Sequence, residues 1–156
     1  MSVPASSERF LAKARELPAD EVMLDLEDSV APDAKEDARR LAITALNGGG
    51  WDGKLVAVRI NAATTRWAHK DVIAVVEGAP DAVDSLILPK VSAPEAIIWL
   101  DVLLGQVEKA AGLPREGSAS RRRSRMPPAS PPSRRSPPPR RGSRRWYSDP
   151  PTSWPA

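Results

Sequence analysis

The feature that most constrains this chain is an alternation over its first 116 residues, in which short, almost wholly apolar runs are separated by stretches with helical spacing. Val22–Leu26 (VMLDL), Leu55–Ile60 (LVAVRI) and Ser85–Pro89 (SLILP) have strand length and little polar alternation. Such runs mark strands covered on both faces, as in parallel sheets. Between them, Ser7–Leu17 places Phe10, Leu11 and Ala14 on one face, with Ser6 or Ser7 as the N-cap. Asp33–Leu46 turns Ala34, Ala38, Leu41, Ala42 and Ala45 inward and stops at Gly48–Gly50. Asp71–Glu77 predicts a shorter helix, and Pro94–Ala111 a longer one with Ala96, Ile97, Leu100, Leu103, Leu104 and Val107 inward. Met1–Pro4 reads as the end of a further strand. The pattern is α/β: four strand–helix units in a row, each of about 25–30 residues, as βαβ repeats require.

Four such units are half of a (β/α)8 barrel or most of a small doubly wound sheet. Glycine placement argues against the second. No Gly-rich turn follows any of the strands, and Gly48–Gly50 lies after a helix, so a dinucleotide or P-loop site has no support.

Composition changes abruptly at Gly117. Residues 1–116 carry 13 Lys and Arg against 19 Asp and Glu, whereas residues 117–156 carry ten Arg, no Lys and one acid, Asp149. The second segment also holds 10 of the 17 prolines and no Leu, Ile or Val. It has too little apolar surface to offset its ordering entropy, so residues 117–156 are expected to be a disordered Arg/Pro/Ser-rich tail. With no cysteine, neither a disulfide framework nor a thiolate metal site is possible. No signal peptide follows Met1, no apolar run approaches membrane length, and cytoplasm is the expected compartment.

In a parallel β/α fold the active site lies at the C-terminal ends of the strands. The second strand runs out into Asp25, Glu27 and Asp28, the third into Arg59 and Asn61, the fourth into Pro89 and Lys90. Carboxylates, a guanidinium and an ammonium would hold an anionic substrate beside a metal, or serve acid–base chemistry. The same residues would equally arise as rim charges paired with one another. His69, the single histidine, is read as a surface residue, and Trp51, Trp67 and Trp99 as packing.

At these strand ends the run LDLEDSVAPDAKEDAR (Leu24–Arg39), followed in order by VRIN (Val58–Asn61) and LPKV (Leu88–Val91), resembles the citrate lyase β-subunit/malyl-CoA lyase family. This is the CoA-ester lyase branch of the HpcH/HpaI aldolase superfamily. The opening VPASSERFLAKA (Val3–Ala14) resembles its first βα turn, with the start clipped by several residues. The resemblance covers residues 1 to about 116 and implies the front half of a (β/α)8 TIM barrel. It also implies Mg2+-dependent retro-Claisen or retro-aldol cleavage of a 3-hydroxyacyl thioester such as malyl-CoA or citryl-CoA. By motif, Arg59 would contact the substrate's carboxylate or carbonyl, and Lys13 the CoA ester. Asp25, Glu27, Asp28 and Lys90 would line the pocket behind them. Ser7 stands where malyl-CoA lyases place an Arg nearby, with Arg9 as a possible replacement. The family implies a homo-oligomer, an acyl-CoA or acyl-carrier thioester as partner, and no membrane.

The family's two metal carboxylates, a Glu and an Asp, belong to later strands, and residues 117–156 supply neither. Moving the reading frame forward two nucleotides from Gly117, with GC-rich codons, gives strand, helix and strand with QIED and FGPADF where the family carries them. Residues 117–156 are therefore read as out-of-frame translation, and the chain as truncated, without intact catalytic or metal residues, and inactive. The alternative is a non-catalytic nucleic-acid-binding protein acting through RRRSR (Arg121–Arg125) and RRGSRRWY (Arg140–Tyr147).

Overall fold

The computed structural model describes residues 1–113 and the backbone of Arg145–Ser148. The order is β1 (Ser2–Pro4), α1 (Glu8–Glu16), β2 (Glu21–Asp25), a 3-10 turn (Pro32–Ala34), α2 (Lys35–Asn47), β3 (Leu55–Arg59), α3 (Ala68–Gly78), β4 (Ser85–Leu88), α4 (Pro94–Ala110) and β5 (Arg145–Ser148). All five strands are parallel and lie side by side in chain order. A doubly wound sheet reverses its order at a switch point. None occurs among the described strands, and α1 packs on α2, α2 on α3 and α3 on α4 in one continuous layer.

Strand residues alternate between two faces. Val3, Val22, Leu24, Val56, Val58, Leu86 and Leu88 are buried and join Leu11, Ala14, Ala38, Ala42, Val72, Val75, Leu100 and Leu104 in one core beneath the helices. Each of the Val and Leu side chains contributes about 1.5–3 kcal/mol by leaving water. The opposite face carries rows set by the register. Pro4 pairs with Asp25, Asp25 with Arg59, and Arg59 with Ile87. That row, at the C-terminal strand ends, is where the charged residues lie.

Several expectations need correction. Phe10 is 51% exposed and Ile97 38%, although their spacing placed them inward. On α1, Leu11 and Ala14 meet the core, and Arg15 reaches under α2 to donate to the Ala45 carbonyl (2.7 Å), leaving Phe10 on the flank away from α2. Helices α1 and α4 end the described layer, so a flank of each has no helix beside it. Ser7 occupies the N-cap of α1 but makes no side-chain capping bond. Helix α3 begins at Ala68, earlier than Asp71, because Ala68 and Asp71 belong to its buried face. The expectation of no regular structure in residues 117–156 fails at Arg145–Ser148, whose backbone pairs with Ser85–Leu88. Strand pairing uses main-chain groups, which side-chain composition does not remove. This β5 covers the edge of β4 that a lone four-strand arc would expose. The rest of that expectation lies outside the described residues.

A glycine turn closes the N-terminal end of the layer. Gly50 has φ +82°, and a Cβ there would stand 3.2 Å from Arg15 Cδ. Gly50→Ala is expected to lower stability by about 1–2 kcal/mol, through the left-handed backbone and displacement of Arg15 from its seat. A urea midpoint equal to that of the unsubstituted chain would contradict this.

Candidate active site at the strand ends

Asp25 is the centre of the site. It is 1% exposed, and its two oxygens take five hydrogen bonds. Oδ1 accepts from the Glu27 amide (2.8 Å) and Arg59 Nε (2.9 Å). Oδ2 accepts from Arg59 Nη2 (2.8 Å), the Ser29 hydroxyl (2.6 Å) and the Ser29 amide (3.1 Å). The Asp25–Arg59 fork follows from register, because the two residues are direct partners on β2 and β3 and share a face. Burial pushes the Asp25 carboxyl up, but Arg59, Ser29 and the Glu27 amide together bring it down to about 2. The hydrogen bonds from Asp25 in turn hold the Arg59 guanidinium firmly charged.

The strand-end row is closed by Lys90. Its Nζ reaches Glu27 Oε1 at 2.7 Å and Asp28 Oδ1 at 2.9 Å, spanning from β4 across β3 to the loop after β2. Glu27, then Asp28, raises the Lys90 ammonium to about 12, and the hydrogen bond from Lys90 lowers the Asp28 carboxyl. Lys90 has φ +53°, a left-handed conformation that a non-glycine residue rarely adopts and that collects at functional sites. The second oxygen of Glu27, Oε2, is buried without a hydrogen-bond partner, 3.8 Å from Arg59 Nε. Glu27 thus meets Arg59 as an ion pair and not through a hydrogen bond.

The described residues alone do not fit a Mg2+ site. No group of three or more His, Cys, Asp or Glu among them is placed to hold a metal, and both Asp25 oxygens are already engaged. Glu27 is tied to Lys90 and faces Arg59, and Asp28 is tied to Lys90, so each remaining carboxylate of the cluster is already matched by a cation.

Asp25, Glu27, Asp28, Arg59 and Lys90 thus come together at the C-terminal strand ends. Lys13 does not join them. It is exposed on α1, and among the described residues no hydrogen bond or ion pair ties it to the cluster. Arg9 and His69 are also exposed, whereas Trp51 is buried with its indole N–H on the Ala45 carbonyl (3.1 Å).

A second charged group behind the loop was not singled out from sequence. Lys35 Nζ donates to the carbonyls of Leu26 (2.8 Å) and Glu27 (2.5 Å). Arg39 donates to Asp71 Oδ1 through Nε (2.9 Å) and Nη2 (2.8 Å). Asn61 gives its amide (2.9 Å) and Nδ2 (2.6 Å) to Asp71 Oδ2, and Nδ2 also reaches the Leu26 carbonyl (3.0 Å). Burial lowers the Lys35 ammonium. The signal was present: Lys35 and Arg39 share the inward stripe of α2 with Ala42 and Leu46, where a charge needs a partner.

The depressed Asp25 carboxyl makes stability depend on pH. Its folded value of about 2 lies below the ordinary 3.8, so the stabilisation is complete above about pH 4 and is lost as pH falls through 2. About 2 kcal/mol of acid sensitivity is expected between pH 5 and 2, and Asp25→Asn should abolish it. Parallel acid titrations of stability in the two proteins would refute the assignment.

The comparisons with known proteins agree with this geometry. The sequence profile of the HpcH/HpaI aldolase/citrate lyase family matches residues 1–126. An L-malyl-CoA/beta-methylmalyl-CoA lyase of Cereibacter sphaeroides is 41% identical over 111 residues, covering 71% of this chain and 34% of that protein. A (3S)-malyl-CoA thioesterase of the same species is 43% identical over 90 residues, covering 58% of this chain and 30% of the relative. The chain therefore spans about a third of the length of these curated relatives. Among solved structures, malate synthase of Haloferax volcanii superposes with a TM-score of 0.65 at 17% identity, over 72% of this chain and 36% of the other. A citrate lyase of Burkholderia xenovorans LB400 gives 0.62 at 20% identity, over 71% and 36%. At those identities the likeness concerns fold alone, that of a parallel β/α barrel. Carrying its strand-end motifs on that fold and matched by that profile, the chain belongs to the HpcH/HpaI aldolase/citrate lyase family.

Proposed function

We propose that this chain is the amino-terminal part of a CoA-ester carbon–carbon lyase acting on malyl-CoA, citryl-CoA or a similar 3-hydroxyacyl thioester. The observation that carries the reading is the Asp25–Arg59 fork, flanked by Glu27 and Lys90 at the C-terminal strand ends. It presents a fixed guanidinium at the mouth of the barrel, where a substrate carboxylate or carbonyl would lie. In the cleavage the 3-hydroxyl loses its proton and becomes a carbonyl. The bond between C2 and C3 breaks, and its electron pair passes to the thioester enolate, which is then protonated. Asp25 keeps Arg59 oriented and charged while negative charge moves through the site.

Mg2+ dependence is proposed for a barrel that carries the later metal carboxylates, where the ion would supply Lewis acidity. The chain as written is proposed to be truncated and inactive, with residues after Gly117 read out of frame. The homo-oligomeric state and the thioester partner, acyl-CoA or acyl-carrier, enter with the family. Neither the family nor the relatives lend support to the nucleic-acid alternative. Among the described residues no helix is long and apolar enough to cross a membrane.

The relatives' names divide lyase from thioesterase, so the test must separate the two. The frame-restored protein is incubated with malyl-CoA and Mg2+, and products are read as acetyl-CoA and as free CoA thiol. Acetyl-CoA without free thiol is expected. Free thiol without acetyl-CoA would replace the lyase reading with a hydrolytic one.

A further inference from the structure

The loop after β2 is held by opposite charges on its two sides. Asp25 takes its N–H groups, from Glu27 and Ser29, while Lys35 takes its carbonyls, from Leu26 and Glu27. The Leu26 amide remains on the sheet, donating to the Arg59 carbonyl at 2.9 Å. Lys35 is 6% exposed and makes its hydrogen bonds to backbone carbonyls alone, an unusual use of the most strongly hydrated of side-chain donors. Simple packing would be served as well by an apolar residue. Two successive carbonyls converge on one ammonium because the chain turns sharply there, and the turn sends the Glu27 and Asp28 side chains toward Lys90. Asn61 and the buried Arg39–Asp71 pair brace the same Leu26 carbonyl from β3, α2 and α3.

Charge balance points the same way. Asp25, Glu27 and Asp28 face Arg59 and Lys90, which leaves one negative charge in excess. Lys35, buried behind the loop, cancels it. Without Lys35 the site would repel the anionic group that Arg59 is placed to receive.

We propose that Lys35 is a positioning residue for the strand-end site: by gathering the Leu26 and Glu27 carbonyls it fixes the Glu27 carboxylate between Lys90 and Arg59 and tunes the site for an anionic ligand. This rests on reading the strand ends as the active site.

The test uses the full chain and malonate as the probe anion. In Lys35→Met, amide hydrogen exchange at Glu27, Ser29 and Val30 is expected to accelerate at least tenfold. Val22, Leu24, Val56 and Val58 should keep their protection, and the thermal midpoint should hold. Malonate affinity, read from the Arg59 Nε–H resonance, should fall at least tenfold. Uniform acceleration across β2 and β3 would make Lys35 merely structural, and unchanged exchange at the three loop amides would remove its role altogether. If Lys35→Met does not fold, Lys35→Gln keeps one donor without charge, and the same two readouts apply. A wild-type chain that binds no malonate would overturn the active-site reading and with it the tuning for an anion, while the exchange pattern decides the positioning role without a ligand.

Discussion

Asp71→Ala is expected to destabilise the chain by about 3–5 kcal/mol, the largest effect of any single substitution in the described residues. Asp71 is fully buried and accepts four hydrogen bonds, two from Arg39 and two from Asn61. Its removal leaves a guanidinium only 7% exposed with no counter-charge, and strips the Asn61 backbone amide of its acceptor. The loss comes mainly from those orphaned groups, so a double replacement should behave differently. Arg39→Met with Asp71→Leu removes both charges and should recover the part of the loss that comes from Arg39, while the Asn61 amide stays without its acceptor. Domains of this size have about 5–15 kcal/mol in total, so the single variant should be largely unfolded in mild urea and the double variant less so. Urea midpoints measure both. A loss below about 1 kcal/mol in Asp71→Ala would show that the buried pair is not what joins α2, α3 and β3.

The second large effect concerns catalysis. In the frame-restored protein, Arg59→Ala is expected to reduce acetyl-CoA release from malyl-CoA by a thousandfold or more, equivalent to about 4 kcal/mol of transition-state stabilisation. The chain as written should show no release at all. Asp25 holds Arg59 through two hydrogen bonds, so the guanidinium is oriented before substrate arrives and loses little on binding it. Arg59→Lys should recover only a fraction, since an ammonium cannot occupy both Asp25 oxygens and also meet the substrate in the same plane. Steady-state kinetics on the three restored proteins provide the measurement. Full activity in Arg59→Ala would end the substrate assignment, and activity in the chain as written would end the proposal that it is truncated.

Much of this was legible from residue order, for identifiable reasons. Strand positions showed because a strand covered on both faces has no room for polar residues. Val22–Leu26 and Leu55–Ile60 accordingly mark β2 and β3 to within a residue. The candidate site showed because parallel folds collect chemistry at strand ends, which singled out Asp25, Glu27, Arg59 and Lys90. What stayed hidden depended on register and on neighbours. The pairing of Asp25 with Arg59 requires knowing that they are direct partners across two strands. Lys35 and Arg39 stand on the inward stripe of α2, but the partners of these charges and of Asp71 appear only once α2, α3 and the loop after β2 are docked. Phe10 and Ile97 looked inward because helical spacing reports a face, and whether a neighbour covers its flank is a property of the assembly. β5 had no side-chain signal, since its pairing with β4 is carried by backbone groups.

The strict chain-order layout of the sheet has a consequence for how the molecule is made. From β1 to β4 each strand pairs with the one synthesised just before it, and each helix from α2 onward rests on its predecessor. The loops to be closed are short, so ordering each new unit costs little entropy and its docking surface is already in place. On the ribosome such a chain can grow as a stack, every βα unit templating the next as it leaves the exit tunnel. The β2–α2 loop meets its partners over a longer span of synthesis. Asp25 waits for Arg59, Asn61 for Asp71 and Glu27 for Lys90, so the charged centre takes its final form only when β4 has emerged.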